Sequence, residues 1–229
     1  MSEFDQTAFN QFVIDNDVYG FFDKPITLKS GRRSHFYANW RTVVEDVWLT
    51  EKLVQFVLAF VSAQNIEVDT FYGVPEGATK LGVLCQYHRA KTQPNYGRGS
   101  HALAMGRAKP KEHGAPKDRL FVGAPRGKVV VLEDVTTTGG SSLNAISSLQ
   151  ENGIEVSALV SLTNRMEKRA DCSSVSQAVE KLGVRFYHMS SAIELLPLVF
   201  QKIDPGEDIT RAIQAEFDQY GLQPLVLIN

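Results

Sequence analysis

Glu133 and Asp134 stand side by side after the apolar run Val129-Val-Val-Leu132, and Thr136-Thr-Thr-Gly-Gly-Ser-Ser142 follows beyond a single Val135. Adjacent carboxylates suit the vicinal hydroxyls of a sugar or the neighbourhood of a bound divalent cation. A stretch of Thr, Gly and Ser that opens a helix suits a phosphate, because successive backbone N–H groups and hydroxyls converge on it. The combination predicts a phosphorylated, hydroxyl-bearing ligand accompanied by a divalent metal. The loop has neither the Gly-Lys-Ser/Thr ending of a Walker loop nor GxGxxG spacing. A well-capped turn between strand and helix would have a similar composition. The acids weigh against that reading, since neighbours on a strand point to opposite faces and a structural task for both is hard to find.

A second concentration of chemistry lies between Lys91 and Gly127. Apolar periodicity nearly vanishes there, apart from a predicted strand at Ala102–Met105, while Gly, Pro and basic residues accumulate. Arg107, Lys109, Lys111, His113, Lys117 and Arg119 all fall in this segment. So polar a stretch predicts a mobile loop that an anionic ligand orders. Such a loop can neutralise a departing diphosphate while excluding water; a solvated run of surface charge is the alternative. Arg165, at the end of a predicted strand, offers a guanidinium fork to a carboxylate, or is a surface arginine. Lys29 lies in a Ser/Gly/Arg turn, and Tyr37 suits either core packing or stacking on a planar ring.

The elements that must position these residues follow from periodicity. Residues 5–20 predict an amphipathic helix with Phe9, Phe12, Val13 and Val18 on one face, and 26–37 a short irregular β segment with Gly31 in a turn. A helix is expected over Leu49–Ala63, then a strand over Val68–Tyr72, the turn Gly73-Val-Pro-Glu-Gly77, and a helix over Thr79–Arg89. After the basic segment come a strand at Lys128–Leu132, a helix at Ser141–Glu151 and a strand at Ile154–Thr163. A further strand is expected at Val184–Met189, and a terminal helix at Glu207–Tyr220 that Gly221 stops. Alternating strands and helices imply an α/β fold with a central parallel, doubly wound sheet. The acid pair then lies at the carboxyl end of its strand, where such sheets bind ligands.

At 229 residues the chain is long enough for one domain with a substantial core. A net charge of −2 argues against bulk attraction to nucleic acid. Cys85 and Cys172 have neither metal-ligand spacing nor the number of a disulfide framework. They are expected as free thiols in a reducing compartment, with Cys85 packed. The N-terminus, with Glu3 and Asp5, does not resemble a signal peptide, and the apolar run Leu53–Val61 is too short to span a bilayer. A cytoplasmic protein without membrane or nucleic-acid partners is expected.

The stretch Leu132-Glu-Asp-Val-Thr-Thr-Thr-Gly-Gly-Ser141 resembles the phosphoribosyl-diphosphate (PRPP) signature of type I phosphoribosyltransferases. Three further stretches resemble the orotate phosphoribosyltransferase family. They are Thr27-Leu-Lys-Ser-Gly-Arg-Arg-Ser34 with Phe36-Tyr-Ala-Asn39, Arg107-Ala-Lys-Pro-Lys-Glu-His-Gly114, and Ser161-Leu-Thr-Asn-Arg165. The resemblance covers residues 27–165 in the family's order and leaves the chain beyond about 170 without a motif.

It implies a single phosphoribosyltransferase domain over residues 1–229, in which about 1–45 and part of the C-terminal region form a small hood over the substrate. It also implies transfer of phosphoribosyl from PRPP to N1 of orotate, with Mg²⁺ held mainly through PRPP and no directly assigned protein ligands beyond the neighbourhood of Glu133 and Asp134. The resemblance further implies that Glu133 and Asp134 hold the ribose hydroxyls and that Val135, Thr136, Thr137, Thr138, Gly139, Gly140 and Ser141 surround the 5′-phosphate. Lys29, Arg107, Lys109, Lys111 and His113 would face the diphosphate, with Lys111 the principal catalytic cation. Orotate would lie against Tyr37 and Ala38, its polar edge and carboxylate read by Thr137 and Arg165. A homodimer with the basic loop shared across its interface is implied too. Two positions depart from the family pattern. Ala108 stands where a lysine is common, and Glu76-Gly77 replace a Tyr-Lys pair. A relative acting on another base, or a PRPP-sensing regulator without catalysis, are the competing readings; the added DNA-binding domain and basic surface common in such regulators are not visible.

Overall fold

A computed structural model describes residues 3–113 and 119–227. Its centre is a four-stranded parallel sheet in the order β3-β6-β7-β8, formed by Thr70–Gly73, Val129–Thr136, Val156–Asn164 and Arg185–Ser191. Alternation along these strands sends side chains to two faces. Val130, Leu132, Val160 and Leu162 join one buried cluster, whereas Val129, Val131 and Leu159 join the other. Each face is therefore apolar and needs helices, which explains the continuous Val/Leu runs of the strands.

The first face is covered by α1 (Gln6–Asp15), α3 (Val47–Ala63), α4 (Thr79–Lys91) and α7 (Ala192–Lys202). The short α2 (Arg41–Val44) leads into α3. On the second face, α5 (Gly140–Glu151) contributes Ile146 and Leu149, and α6 (Val175–Glu180) contributes Val175 and Val179. Cys85, on α4, is fully buried in an apolar cluster, and that burial pushes its thiol well above the usual range; it is a packing residue.

Beside the sheet, β1 (Tyr19–Thr27) and β2 (Arg33–Ala38) form an antiparallel hairpin whose turn holds Lys29 and Gly31. The terminal helix α8 (Glu207–Tyr220) packs on β2, with the Phe36 and Phe217 rings stacked at 6.0 Å. The helix expected over 5–20 ends at Asp15, and Tyr19 begins a strand. Asn16 closes the last turn, and Asp17 adopts a left-handed φ of 49° that no helix continues through. The strand expected at Ala102–Met105 is reduced to β4 (Met105–Gly106), paired with β5 (Phe121–Val122). Here Ala104 and Phe121 are buried, while Leu103 and Val122 stay exposed. Helices α6 and α7 lie beyond the last motif; α6 is marked locally by the capping box of Ser174 and Gln177.

Candidate functional site

Because the strands are parallel, the ends of β3, β6 and β7 meet along one edge. Gly73 pairs with Leu132 in register, and Thr136 with Asn164. The acid pair lies near the carboxyl end of β6, just before this edge. Glu133 is buried, and its Oε2 accepts a hydrogen bond from Ser142 Oγ at 2.7 Å. Burial, followed by the neighbouring charge of Asp134, holds the Glu133 carboxyl well above the usual carboxylate range, although Ser142 and Lys29 act in the opposite direction. Asp134 is half-buried and takes a hydrogen bond from the Val135 N–H at 2.9 Å. The two acids are thus unequal, and Asp134 is the one open to a ligand.

That inequality gives a pH prediction. The folded chain binds the Glu133 proton more tightly than the unfolded chain does. Stability therefore falls as pH rises from the ordinary value of 4.5 through the raised folded value, and stays reduced above it. Glu133→Gln is expected to melt at a higher temperature than the native chain at pH 8, with the difference shrinking toward pH 4.5. A lower melting temperature at pH 8 would contradict the burial cost.

The loop after the acids has the form an anion needs. Gly139 adopts φ 71°, a left-handed conformation open to glycine, and is the N-cap of α5 with no side chain to cap the helix. The N–H groups of Gly140, Ser141 and Ser142 therefore have no intrahelical acceptor. Two carbonyls of the loop are drawn the other way. Thr136 O accepts from the Arg165 N–H at 2.9 Å, and Thr138 O accepts from Arg169 Nη1. Thr137, Thr138 and Ser141 are half-buried, Gly140 is exposed, and Thr136 is buried with its Oγ1 unpartnered.

Lys29 reaches this loop from the hairpin turn, donating to Ser141 Oγ at 2.9 Å across 112 residues of sequence. On the other side, the turn after β3 comes against the acids. A Cβ built on Gly77 would lie 2.3 Å from Asp134 Oδ2, so only glycine lets this turn approach. Glu76 is exposed, and Lys80 donates to Val44 O at 3.2 Å.

The basic segment springs from the same region: a Cβ on Gly106 would meet the Tyr72 hydroxyl at 1.9 Å and Pro75 at 3.1 Å. Its stem is closed by Arg107 N to Leu120 O (3.0 Å) and Lys111 N to Arg119 O (2.9 Å). Ala108, Lys109, Lys111 and His113 are exposed, and Arg107 is half-buried. Gly114 and Lys117 lie outside the described residues.

Tyr37 is half-buried and Ala38 buried on β2. Arg165 is not a surface residue: it is 1% exposed, with Nε on Glu167 at 2.7 Å, Nη2 on Ser34 Oγ at 2.9 Å and Nη1 on Phe36 O at 3.2 Å. The structure therefore brings Glu133, Asp134, the 136–141 loop and Lys29 together, while Arg165 sits one layer deeper, under the hairpin. Sequence reasoning missed Glu167 as a member of this neighbourhood, and it held Ser142, Arg32 and Ser34 only within longer motifs, with no role of their own. Glu167 stands two residues past Arg165, but Met166 between them has a left-handed φ of 58°, so the alternation of a strand did not signal the pair.

Among the described residues no group of three or more His, Cys, Asp or Glu is placed to hold a metal. No described helix is long and apolar enough to cross a membrane. No family model matches the chain. It is 36% identical over 179 residues to the orotate phosphoribosyltransferase of Bradyrhizobium diazoefficiens, a match spanning 75% of this chain and 87% of that relative. Its fold is similar to the crystal structure of orotate phosphoribosyltransferase from Francisella tularensis, with a TM-score of 0.66 and 20% identity over 93% of this chain and 99% of that one. It also resembles the Mycobacterium tuberculosis orotate phosphoribosyltransferase solved in complex with PRPP, with a TM-score of 0.56 and 20% identity, covering 83% of this chain and 98% of that one.

Proposed function

The chain belongs to the orotate phosphoribosyltransferase family, and from that premise we propose how its residues divide the transfer of phosphoribosyl from PRPP to N1 of orotate. The observation that carries the assignment is the Lys29–Ser141 contact, which joins the hairpin to the loop opening α5. The N–H groups from Thr137 to Ser141 take the 5′-phosphate, as an uncapped helix N-terminus favours. Asp134 takes the ribose hydroxyls, and Glu133, tied to Ser142, holds the start of the loop in place. The turn Gly73–Gly77 receives the diphosphate through backbone N–H groups, and Lys29 and the basic segment face it.

The reaction breaks the bond from ribose C1 to the diphosphate oxygen and forms one from C1 to orotate N1. Negative charge grows on the leaving diphosphate, and Lys111, Arg107, Lys109 and His113 offset it. Positive charge grows at the ribose, where the Asp134 carboxylate is the nearest compensating group. The hairpin and α8 form the hood that covers the base, with Tyr37 and Ala38 beside the ring and Thr137 and Arg165 reading its polar edge.

An adjacent acid pair of which Asp134 is the more open member fits a magnesium ion that PRPP oxygens and water would mainly hold, with Asp134 able to contribute an oxygen. Bound there, the ion supplies charge neutralisation to the diphosphate. A dimer in which the basic segment reaches the neighbouring site is supported by exposed Lys109, Lys111 and His113, and by exposed Val47 and Trp48 on α3 and Tyr87 on α4. A cytoplasmic location is supported by the two free cysteines.

The test is turnover with PRPP and Mg²⁺, offering orotate, uracil, hypoxanthine and xanthine in parallel. Orotate alone is expected to be consumed. Turnover of another base without orotate consumption would overturn the assignment.

A further inference from the structure

Glu167 is a buried carboxylate that the phosphoribosyl chemistry leaves without a task. It lies three residues past the end of β7, is 6% exposed, and divides its two oxygens between two arginines. Oε1 accepts from Arg165 Nε and Oε2 from Arg32 Nη1, both at 2.7 Å. Arg32 belongs to the hairpin turn that carries Lys29; it also donates to Lys168 O at 2.6 Å and stacks 4.4 Å over the Tyr220 ring. The segment itself is strapped to the end of α8 by Lys168 N to Tyr220 O (2.7 Å) and Leu222 N to Met166 O (2.8 Å). Glu167 thus ties the hairpin to the chain that follows β7, beside α8.

The direction of the Arg165 contact matters. A carboxylate on Nε holds one edge of the planar guanidinium and so fixes its rotation, leaving donors on the Nη edge. The plane is held again from its face, 3.8 Å from the centre of the Phe36 ring. Of the five N–H donors of a guanidinium, three are engaged, by Glu167, Ser34 and Phe36 O. The other two lie on the Nη edge.

We propose that Glu167 is a positioning and specificity residue for the base substrate. It locks Arg165 by its Nε edge and Arg32 in the hairpin turn at once, so that the Nη edge of Arg165 is presented to the carboxylate of orotate in fixed orientation. This inference rests on the reading of Arg165 as the group that meets that carboxylate. Two effects of opposite sign are in play. The negative charge of Glu167 weakens the attraction of Arg165 for an incoming anion, whereas its geometry prepares the fork. Orientation outweighs charge in this account.

Glu167→Gln keeps the shape and removes the charge. The measurements are KM for orotate and for PRPP, the inhibition constant of orotate methyl ester, which keeps the ring and lacks the anionic carboxylate, and the melting temperature. Orotate KM is expected to rise ~10-fold, the cost of a misplaced reading group. PRPP KM and the ester constant should stay within roughly twofold, because neither reports on the carboxylate. An unchanged or lowered orotate KM overturns the proposal, and so does equal weakening of orotate and its ester, which is the mark of a merely structural residue. Should Glu167→Gln fail to fold, Glu167→Asp moves the oxygens by one methylene and carries the same comparison. Arg165→Ala, run in parallel, separates the two claims. If it leaves orotate KM unchanged, the reading of Arg165 fails; if it raises that KM while Glu167→Gln does not, Glu167 alone is overturned.

Discussion

Replacing Lys111 by alanine should lower kcat by on the order of 10²-fold or more, the effect of losing one preorganised charge from a transition state that expels a diphosphate. The expectation comes from the site's charges. Asp134 is acidic, Glu76-Gly77 take the place of the family's Tyr-Lys pair and so add a carboxylate and remove a lysine, and Ala108 removes a further cation from the loop. The remaining cations carry more of the leaving-group charge, and Lys111 lies where the backbone stem to Arg119 closes. The side chain is exposed, so the melting temperature should not move, and the loss should appear in single-turnover rates. An unchanged kcat would show that the basic segment takes no part in the chemistry.

Arg165→Ala should change two observables that Lys111→Ala leaves alone. Orotate KM should rise ~10–100-fold, since hydrogen bonds to charged groups contribute roughly 1.5–3 kcal/mol, while PRPP KM stays near its native value. Stability should fall too, because the substitution leaves Glu167 with Arg32 as its remaining arginine and strips the guanidinium from the Phe36 ring. Breaking a buried pair costs about 3–5 kcal/mol, and the surviving Arg32 contact places this case at the low end. At ~2–4 °C per kcal/mol for a chain of this size, the melting temperature should drop by roughly 6–12 °C. Arg165→Lys should not restore orotate binding, because an ammonium cannot supply both the Nε contact and a fork. Equal weakening of orotate and PRPP would make Arg165 a structural residue only.

The parts of this molecule legible in the sequence are those specified locally. The sheet strands announce themselves by uninterrupted Val and Leu runs, and the phosphate loop by glycine and hydroxyl residues directly after them. Lys29 and Asp134 could be named from short motifs. Their convergence could not, because it depends on a hairpin folding across 112 residues to reach Ser141. Strand β1 was hidden by Phe9, Phe12, Val13 and Val18, whose spacing extends the helical pattern past Asp15. The chain direction is decided at Asp17 by a backbone angle that periodicity does not record. Helix α7 carries Pro197 inside it and no ligand motif, so only packing reveals it. The depth of Arg165 was equally out of reach: a guanidinium is buried only because Glu167, Ser34 and Phe36 meet it, and Ser34 and Phe36 come from the distant strand β2. Sequence placed the arginine at the strand end; tertiary structure set its depth and its partners.

The central claim is that one edge of the sheet holds PRPP along the Asp134–Ser141 stretch and presents orotate to Arg165 beneath the hairpin. A crystal structure of the chain soaked with the product orotidine 5′-monophosphate tests it most directly. The account predicts the 5′-phosphate on the N–H groups of Thr137–Ser141, the ribose hydroxyls at Asp134, and the base carboxylate on the Nη edge of Arg165 with Tyr37 beside the ring. A base carboxylate bound away from Arg165, or a phosphate away from the start of α5, would contradict it.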